Sequence, residues 1–469
     1  MRPRYIIGAL VGLLIAKFYW SWFMFDVPLG YDPGIYRYLF LRYADALSTF
    51  SLPSLPLWAG EHPPGLFVFG ALLMKMGLSV DALIGWVWNI VPVFLACVLA
   101  WGTAKRKGSA IGIIVLGCAL ISQAYFDGFF AMYWKVYASL IFVCLTFYFA
   151  EKFSPWFLLT ALITVTIHHQ TGLIMAMSLG TWWLLQFRAQ WKNPLYRVYT
   201  IGICVIAILG FLIYLPHFER MFWSPLKSIF LLRGDNAPSG AFPDLKFYLT
   251  TMFIVFSFGI IGFARSFRKE RGTLWQLAVI SCAIFIIFKL VFYKRFFLHL
   301  DFFLMPFAAE AVYWTWNKYA QNLQRVLIVT IIGVQVIVSV QTMLIREPRI
   351  TADQFTFIST LDSVIPQGST VLTMDNVTAP WLLGWMPLHH IGAPGLFDYP
   401  EKTYEQWEKF IYGSANDRTD FLSSIDEDIY LYTSPIFFTH YGDQAKIIIA
   451  DPCLEQLGRY PIFHFTCTP

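Results

Sequence analysis

MRPRYIIGALVGLLIAKFYWSWFMF, Met1 to Phe25, sets two arginines ahead of an apolar run from Tyr5 to Phe25 that only Lys17 interrupts. Crossing a hydrocarbon core takes roughly 20 mostly apolar helical residues, and this run has that length. It is too long and too aromatic for a signal peptide and has no convincing small-residue cleavage site. We therefore expect a first spanning helix with its basic start in the cytoplasm. Working outward, comparable runs at 82–103, 109–125, 131–150, 155–168, 172–187, 199–216, 247–265, 274–292, 296–316 and 326–345 bring the expected number of spans to about eleven. The composition of the 469 residues agrees: 57% are hydrophobic, 19% aromatic and 13% charged, where soluble domains carry roughly a quarter charged residues. Mean hydropathy is +0.58.

The net charge of +5 hides a split, because acids outnumber Lys and Arg by about ten after Ile350 and the earlier part carries an excess of about fifteen positive charges. Nucleic-acid binding is not expected from so small and uneven an excess. An odd number of spans with the N-terminus inside places the tail outside. The basic residues agree, since Lys105, Arg106, Lys107, Lys152, Arg188, Lys192, Arg197, Arg265, Arg268, Lys269, Arg271, Lys318 and Arg325 all fall in the supposed cytoplasmic connections. The apolar stretch Gly65 to Leu78 is too short to span and follows His62-Pro63-Pro64, a helix-start signal, so it is expected as a helix lying in the outer interface.

Two domains follow: a transmembrane part, 1–349, and a soluble extracytoplasmic tail, 350–469. In the tail, short apolar strands at Thr370 to Thr373, Ile429 to Thr433, Ile447 to Ala450 and Ile462 to Phe465 alternate with helix-like stretches such as Tyr404 to Tyr412, which predicts a small α/β domain. Cys97, Cys118, Cys144, Cys204 and Cys282 lie in apolar runs as packing residues. Cys453 and Cys467 stand in the tail, where an oxidising compartment would let them pair.

An ionisable group in hydrocarbon costs about 2.5–3.5 kcal/mol, so its position carries information. The expected topology sends Asp32, Asp127, His168-His169-Gln170, the loop with His217, Glu219, Arg220, Arg233 and Asp235, and Lys294, Arg295, His299 and Asp301 to one outer face. Each has an ordinary alternative: Glu219 and Asp235 as solvated loop acids, the histidine pair as an interface feature or helix cap, Lys294-Arg295 as a snorkelling pair. Asp127 is harder to explain that way, since Ala124-Tyr125-Phe126-Asp127-Gly128-Phe129-Phe130 embeds one carboxylate among aromatics. There is no Gly-x-Ser-x-Gly elbow, His-Glu-x-x-His, P-loop or Cys-x-x-Cys pair, so hydrolase and ATPase readings have no anchor. Asp426-Glu427-Asp428 could hold a metal and nucleotide sugar but reads better as a turn cap before Ile429; Asn376-Val377-Thr378 fits a glycosylation acceptor.

Tyr31-Asp32-Pro33-Gly34-Ile35-Tyr36-Arg37, just after the first span, resembles the Asp-Pro segment with a following Tyr-Arg in the catalytic subunit of oligosaccharyltransferase, a GT-C membrane glycosyltransferase. His62-Pro63-Pro64-Gly65 is similar to the Pro-Pro segment of lipid-linked sugar transferases, Phe126-Asp127-Gly128 stands where the family has its second acidic motif, and Arg295-Phe296 with Pro306-Phe307-Ala308-Ala309 resembles its late Arg-Phe span. Two features depart: the Trp-Trp-Asp-Tyr-Gly motif is missing, Met374-Asp375-Asn376-Val377 standing in that region, and Gly128 and Phe129 stand where another acid would help hold a metal.

The resemblance implies a GT-C-like α-helical polytopic membrane protein in the plasma (inner) membrane. It would move a sugar or oligosaccharide from a polyprenyl-phosphate or polyprenyl-diphosphate carrier to a glycan, lipid or protein acceptor on the outer face. Asp32 would receive or orient the acceptor proton, Asp127 would stabilise the sugar centre, and Arg295 with Lys294 would hold the departing phosphate. His62, His168, His169, Arg37 and Glu219 complete the expected substrate-binding set. A divalent metal, Mg or Mn, would take Asp32, Asp127 and Glu219; metal-free catalysis stands beside it. The rival from another class is a membrane transporter or lipid-linked sugar flippase, which would need polar residues and broken helices at mid-bilayer.

Overall fold

The computed structural model describes residues 3–219, 223, 227, 242–290, 292–318, 322–397, 399–458 and 460–467; Arg220, Arg233 and Asp235 lie outside the described residues. The chain forms two compact units: Met1–Met24, Pro63–Leu66 and Gly85–Glu347 in the first, and Phe25–His62, Phe67–Ile84 and Pro348–Pro469 in the second. The second unit thus takes in the segment after the first span as well as the tail.

Each of the eleven apolar stretches is helical in the first unit or enters it. Among the described residues six helices are long and apolar enough to cross a membrane: Pro3–Met24, Val80–Lys107, Trp134–Glu151, Pro194–His217, Tyr293–Lys318 and Arg325–Leu344. Two bent pairs raise the number to eight if each is one span: Ser109–Ile121 with Gln123–Phe130 at 55°, and Leu245–Thr251 with Phe253–Lys269 at 89°. Of the remaining three, Trp156–Ile167 and Leu274–Ile287 have 12 and 14 residues, which at 1.5 Å per residue is well short of a core about 30 Å thick. His169–Gln190 has 22 residues but carries His169, Gln170, Gln186 and Gln190.

Tyr293–Lys318 is the most enclosed, with 78% of its apolar window buried, against 22% for Pro3–Met24 and Arg325–Leu344. It packs closely on Phe253–Lys269, where a Cβ on Gly262 would overlap the Phe307 carbonyl. Small residues let helices approach in this way where lipid supplies no hydrophobic drive between them.

The two bends sit against each other, and side chains replace the backbone bonds that the breaks remove. Ser122 caps the helix it precedes by accepting from Tyr125 N at 3.0 Å. Met252 Sδ accepts from Gln123 N at 2.9 Å and Ala124 N at 3.1 Å. Lys17 Nζ donates to Leu120 O at 2.7 Å, and the Gln335 amide donates to Thr251 O and, at 3.5 Å, to Ile121 O. Backbone interrupted inside an apolar bundle survives only with such substitutes.

The second unit contains a five-stranded sheet: β1 (Thr370–Thr373), β2 (His390–Gly392), β3 (Ile429–Tyr432), β4 (Leu454–Gln456) and β5 (Ile462–Phe465), in the order β2-β1-β3-β5-β4. β2, β1 and β3 are parallel; β3–β5 and β5–β4 are antiparallel. Its core joins Leu372 and Leu431 to Trp407, Phe410, Phe421 and Phe437. The helix Tyr404–Tyr412 is as expected, with a Thr403/Gln406 capping box.

The expected strand Ile447 to Ala450 is instead the end of a helix, Asp443–Ile449. Ala445 and Ile448, three apart, face the core, and the run is too short for periodicity to tell strand from helix. Cys453 and Cys467 are disulfide-bonded. Glu427 accepts from the Tyr399 hydroxyl and, at 3.2 Å, from Thr370 Oγ1, and Thr370 N donates to Asp428 O at 2.8 Å, so the acidic triplet is engaged at the start of β1 and β3.

Candidate active site

Asp32 stands at the N-cap position of the helix Pro33–Ser48, with Pro33 at its first turn. That helix is held to Ala379–Trp385 within the second unit by backbone contact: a Cβ on Gly34 would overlap the Pro380 carbonyl, and one on Gly384 would overlap Gly34. Beside Asp32, the Tyr31 hydroxyl donates to Asn376 O. Burial pushes the Tyr31 phenol up to about 12, with the charges of Asp32 and Asp375 adding to the effect and Arg349 opposing it. Asp375 is saturated, accepting from Val377 N, Thr378 N, Thr373 Oγ1 and Ser434 Oγ at 2.6–3.2 Å.

Arg37 is held by protein groups, its Nε on Asp81 at 2.9 Å, Nη1 on Gly384 O at 2.6 Å, and its plane 5.2 Å over Trp385. His62 lies between the rings of Trp58 and Phe67, 5.9 and 6.3 Å away.

In the first unit, Asp127 is 6% exposed. Its Oδ1 accepts from Arg346 Nη2 at 2.6 Å and Gln123 Nε2 at 2.9 Å. Asp301, fully buried, accepts from Ser122 Oγ at 2.6 Å. Lys17 lies within electrostatic reach of both carboxylates and is bonded to Ser339 Oγ at 2.9 Å. Lys17, Asp127 and Asp301 from three helices, and Arg346 just past the end of a fourth, therefore meet around the bend at Ser122.

A second cluster joins His168, Thr171 and His299. Thr171 Oγ1 is 2.8 Å from both His168 Nδ1 and His299 Nε2, and His299 Nδ1 faces Arg295 O at 3.3 Å. His168 Nδ1 also accepts from Thr171 N at 3.3 Å, so it carries no hydrogen and the Thr171 hydroxyl donates to it, while Thr171 Oγ1 accepts from His299 Nε2. The outside charges that reach His168 and His169 are those of Lys135 and Arg295, both positive. His169 Nδ1 and Arg295 Nε are buried and have no hydrogen-bond partner among the described residues.

Lys294 is committed to Asp244 at 2.6 Å. Glu219 pairs with Lys227 at 3.5 Å and is 68% exposed.

The structure thus gathers Arg295, His168 and His169 in one cluster. Asp127 belongs to the other, while Asp32, Arg37 and His62 belong to the second unit. Among the described residues no three His, Cys, Asp or Glu side chains form a metal-ligand group; of the expected set, Asp127 and Glu219 lie in the first unit and Asp32 in the second. One oxygen of Asp127 is already taken by Arg346 and Gln123, and Glu219 points to Lys227. Lys135, Thr171, Arg346 and Gln335 escaped sequence reasoning. Thr171 had a signal, the three-residue spacing of a helix cap after His168; Arg346 had none beyond an ordinary basic end to a span.

No known family profile and no curated protein matches the sequence. Solved structures do. The Archaeoglobus fulgidus oligosaccharyltransferase in its apo form superposes with a TM-score of 0.67 at 11% identity over 95% of this chain and 71% of that one. The archaeal oligosaccharyltransferase AglB from the same organism, in complex with an inhibitory peptide and a dolichol-phosphate, gives 0.62 at 12% over 92% and 69%. ArnT from Cupriavidus metallidurans bound to undecaprenyl phosphate gives 0.56 at 11% over 98% and 97%.

The chain shares the fold of these oligosaccharyltransferase and ArnT structures. The archaeal enzyme has been captured with a dolichol-phosphate and ArnT with undecaprenyl phosphate, and another structure of the archaeal enzyme holds Zn and sulfate. At 11–12% identity the likeness is one of fold.

Proposed function

We propose that this protein is a membrane glycosyltransferase that takes a sugar or oligosaccharide from a polyprenyl-phosphate or -diphosphate carrier and passes it to an acceptor on the outer membrane face. The observation that carries the reading is the cluster of His168, His169, His299 and Arg295. His168 and His299 are buried, the charges of Lys135 and Arg295 that act on the histidines are positive, and Arg295 Nε has no hydrogen-bond partner among the described residues, which suits a phosphate brought in by a lipid. In the reaction the acceptor oxygen or nitrogen bonds to the anomeric carbon, the bond from that carbon to the carrier phosphate breaks, and its electron pair leaves with the phosphate. Asp32 takes the acceptor proton. Arg295 binds the phosphate, which departs as an anion with the electron pair of the broken bond. Asp127, held by Arg346, contributes negative potential to the sugar centre. No step is drawn through a metal. The membrane part, 1–349, carries this chemistry and the tail, 350–469, is the extracytoplasmic domain.

The test is mass spectrometry of lipid-linked sugars and surface glycoconjugates from cells with matched expression of wild type, Asp32→Asn and Arg295→Gln. One glycan should disappear while its lipid-linked donor accumulates in both variants. Unchanged profiles in both, where deletion of the gene alters them, would remove the transferase reading.

One observation favours the second reading, a lipid-linked sugar flippase: two broken helices meet around Lys17, Asp301 and Gln335. On that reading Asp32→Asn is silent, and Lys17→Met leaves the donor lipid trapped on the inner face.

A further inference from the structure

A cavity of about 450 Å³ lies in the first unit, walled by helix ends that include Lys107 and Glu151 and by Ser266, Glu270, Thr273 and Trp275. Its volume is that of a small-ligand pocket. It is remote from Asp127, which precedes the helix Trp134–Glu151 whereas Glu151 ends it, 18 residues or about 27 Å later. None of its wall belongs to the site described above.

The charges in this wall do not cancel. Arg106 Nη1 donates to both Glu151 oxygens at 3.0 and 3.4 Å while the guanidinium covers the Trp275 ring at 4.5 Å. Lys107 lies 3.6 Å from Glu310. Two cations thus face two carboxylates, and Glu270 is a third, close enough for its charge to act on Arg106 and Glu151.

Two polar atoms of the wall also have no hydrogen-bond partner among the described residues. They are Thr103 Oγ1, on a residue 1% exposed, and Trp275 Nε1, on a residue 4% exposed. Burying such groups unpaired is costly. The indole N–H can only donate and calls for an acceptor oxygen; Glu270, which is exposed, offers a carboxylate to a cation.

We infer that this cavity binds a zwitterionic group with an ammonium a few bonds from a phosphate oxygen, of the phosphoethanolamine type, with the ammonium on Glu270 and the oxygen on Trp275 and Thr103. Its source is either the headgroup of a membrane phospholipid or the free compound. The assignment uses no residue of the proposed transferase site and stands or falls separately from it.

The full-length protein, purified in detergent and exposed to equal amounts of phosphatidylethanolamine and phosphatidylglycerol, is examined by native mass spectrometry. Wild type should retain the ethanolamine lipid in preference, and Glu270→Gln should reduce that retention about tenfold. Trp275→Phe, which keeps a ring beneath Arg106 but loses the N–H, should also reduce it. In a second arm, free phosphoethanolamine should raise the thermal midpoint of wild type and not of Glu270→Gln if the ligand is soluble. Lipid retention alone identifies the lipid source, and thermal protection alone the soluble one. Equal retention of both lipids by all three proteins, with no protection by the free compound, overturns the proposal. Should Glu270→Gln not fold, Trp275→Phe and Thr103→Val carry the same comparison.

Discussion

Asp127 illustrates what a single side chain discloses before its neighbours are known. A carboxylate between Phe126 and Phe129 must be buried or exceptional, and that was legible. Its partner was not, because Arg346 is 219 residues away and ends the last span like any snorkelling cation. Removing Arg346 leaves a carboxylate that is 6% exposed without its strongest counter-charge. Arg346→Ala should therefore lower stability by about 2 kcal/mol, below the cost of breaking a wholly buried pair because the Arg346 side chain keeps 31% of its surface. Thermal unfolding in detergent checks this, with Arg346→Lys expected to recover part of the loss. No change in either variant would mean that Gln123 alone holds Asp127. The histidines divide in the same way. His168-His169 could be picked out as a pair, but their link to His299 runs through Thr171, a residue with no chemical distinction in the sequence.

Elements were legible where a long apolar run set their length and hidden where a run was short or broken. Trp134–Glu151 and Arg325–Leu344 lie within a few residues of their expected bounds, whereas the strands β2 and β4, three residues each, leave no pattern to find. The bends at Ser122 and Met252 are invisible in sequence because hydrophobicity continues across them. What marks them is the set of distant side chains that replace lost backbone bonds. Gln335 is the clearest, since one amide serves carbonyls of both bent pairs. Gln335→Leu should leave Ile121 O and Thr251 O unsatisfied and cost about 1–3 kcal/mol, read as a fall in thermal midpoint. Gln335→Glu would place a carboxylate against two carbonyls and should cost more. If both variants melt like wild type, the bends are held by Met252 and Lys17. The close approach at Gly262 gives a second element-scale expectation: Gly262→Leu must force Phe253–Lys269 away from Phe307, lowering the yield of folded protein on size-exclusion chromatography, whereas Gly117→Leu, where a Cβ meets nothing within 4 Å, should leave it unchanged.

At the scale of the whole molecule the helix count decides which side of the membrane holds the chemistry. Eleven crossings put the two ends of the chain on opposite faces; eight would put them on the same face. Length and composition alone support six to eight, yet two independent physical features favour opposite faces. Lys105, Arg106 and Lys107 sit together at one helix end, as the positive-inside rule requires of a cytoplasmic connection, while the acidic tail contains the disulfide Cys453–Cys467, a bond kept in oxidising compartments. The short helices Trp156–Ile167 and Leu274–Ile287 can still carry the chain across where neighbouring helices, rather than lipid, surround their ends. Site-directed labelling settles the matter. With the five free cysteines Cys97, Cys118, Cys144, Cys204 and Cys282 replaced by alanine, a membrane-impermeant maleimide should label Asp443→Cys in intact cells, since that side chain is 91% exposed. Lys105→Cys should be labelled only after permeabilisation, and the disulfide pair should stay unlabelled until a reductant is added. If both positions are labelled only after permeabilisation, the number of crossings between 105 and 443 is even, the tail lies in a reducing compartment where the disulfide would not persist, and the outer-face transferase loses its topological basis.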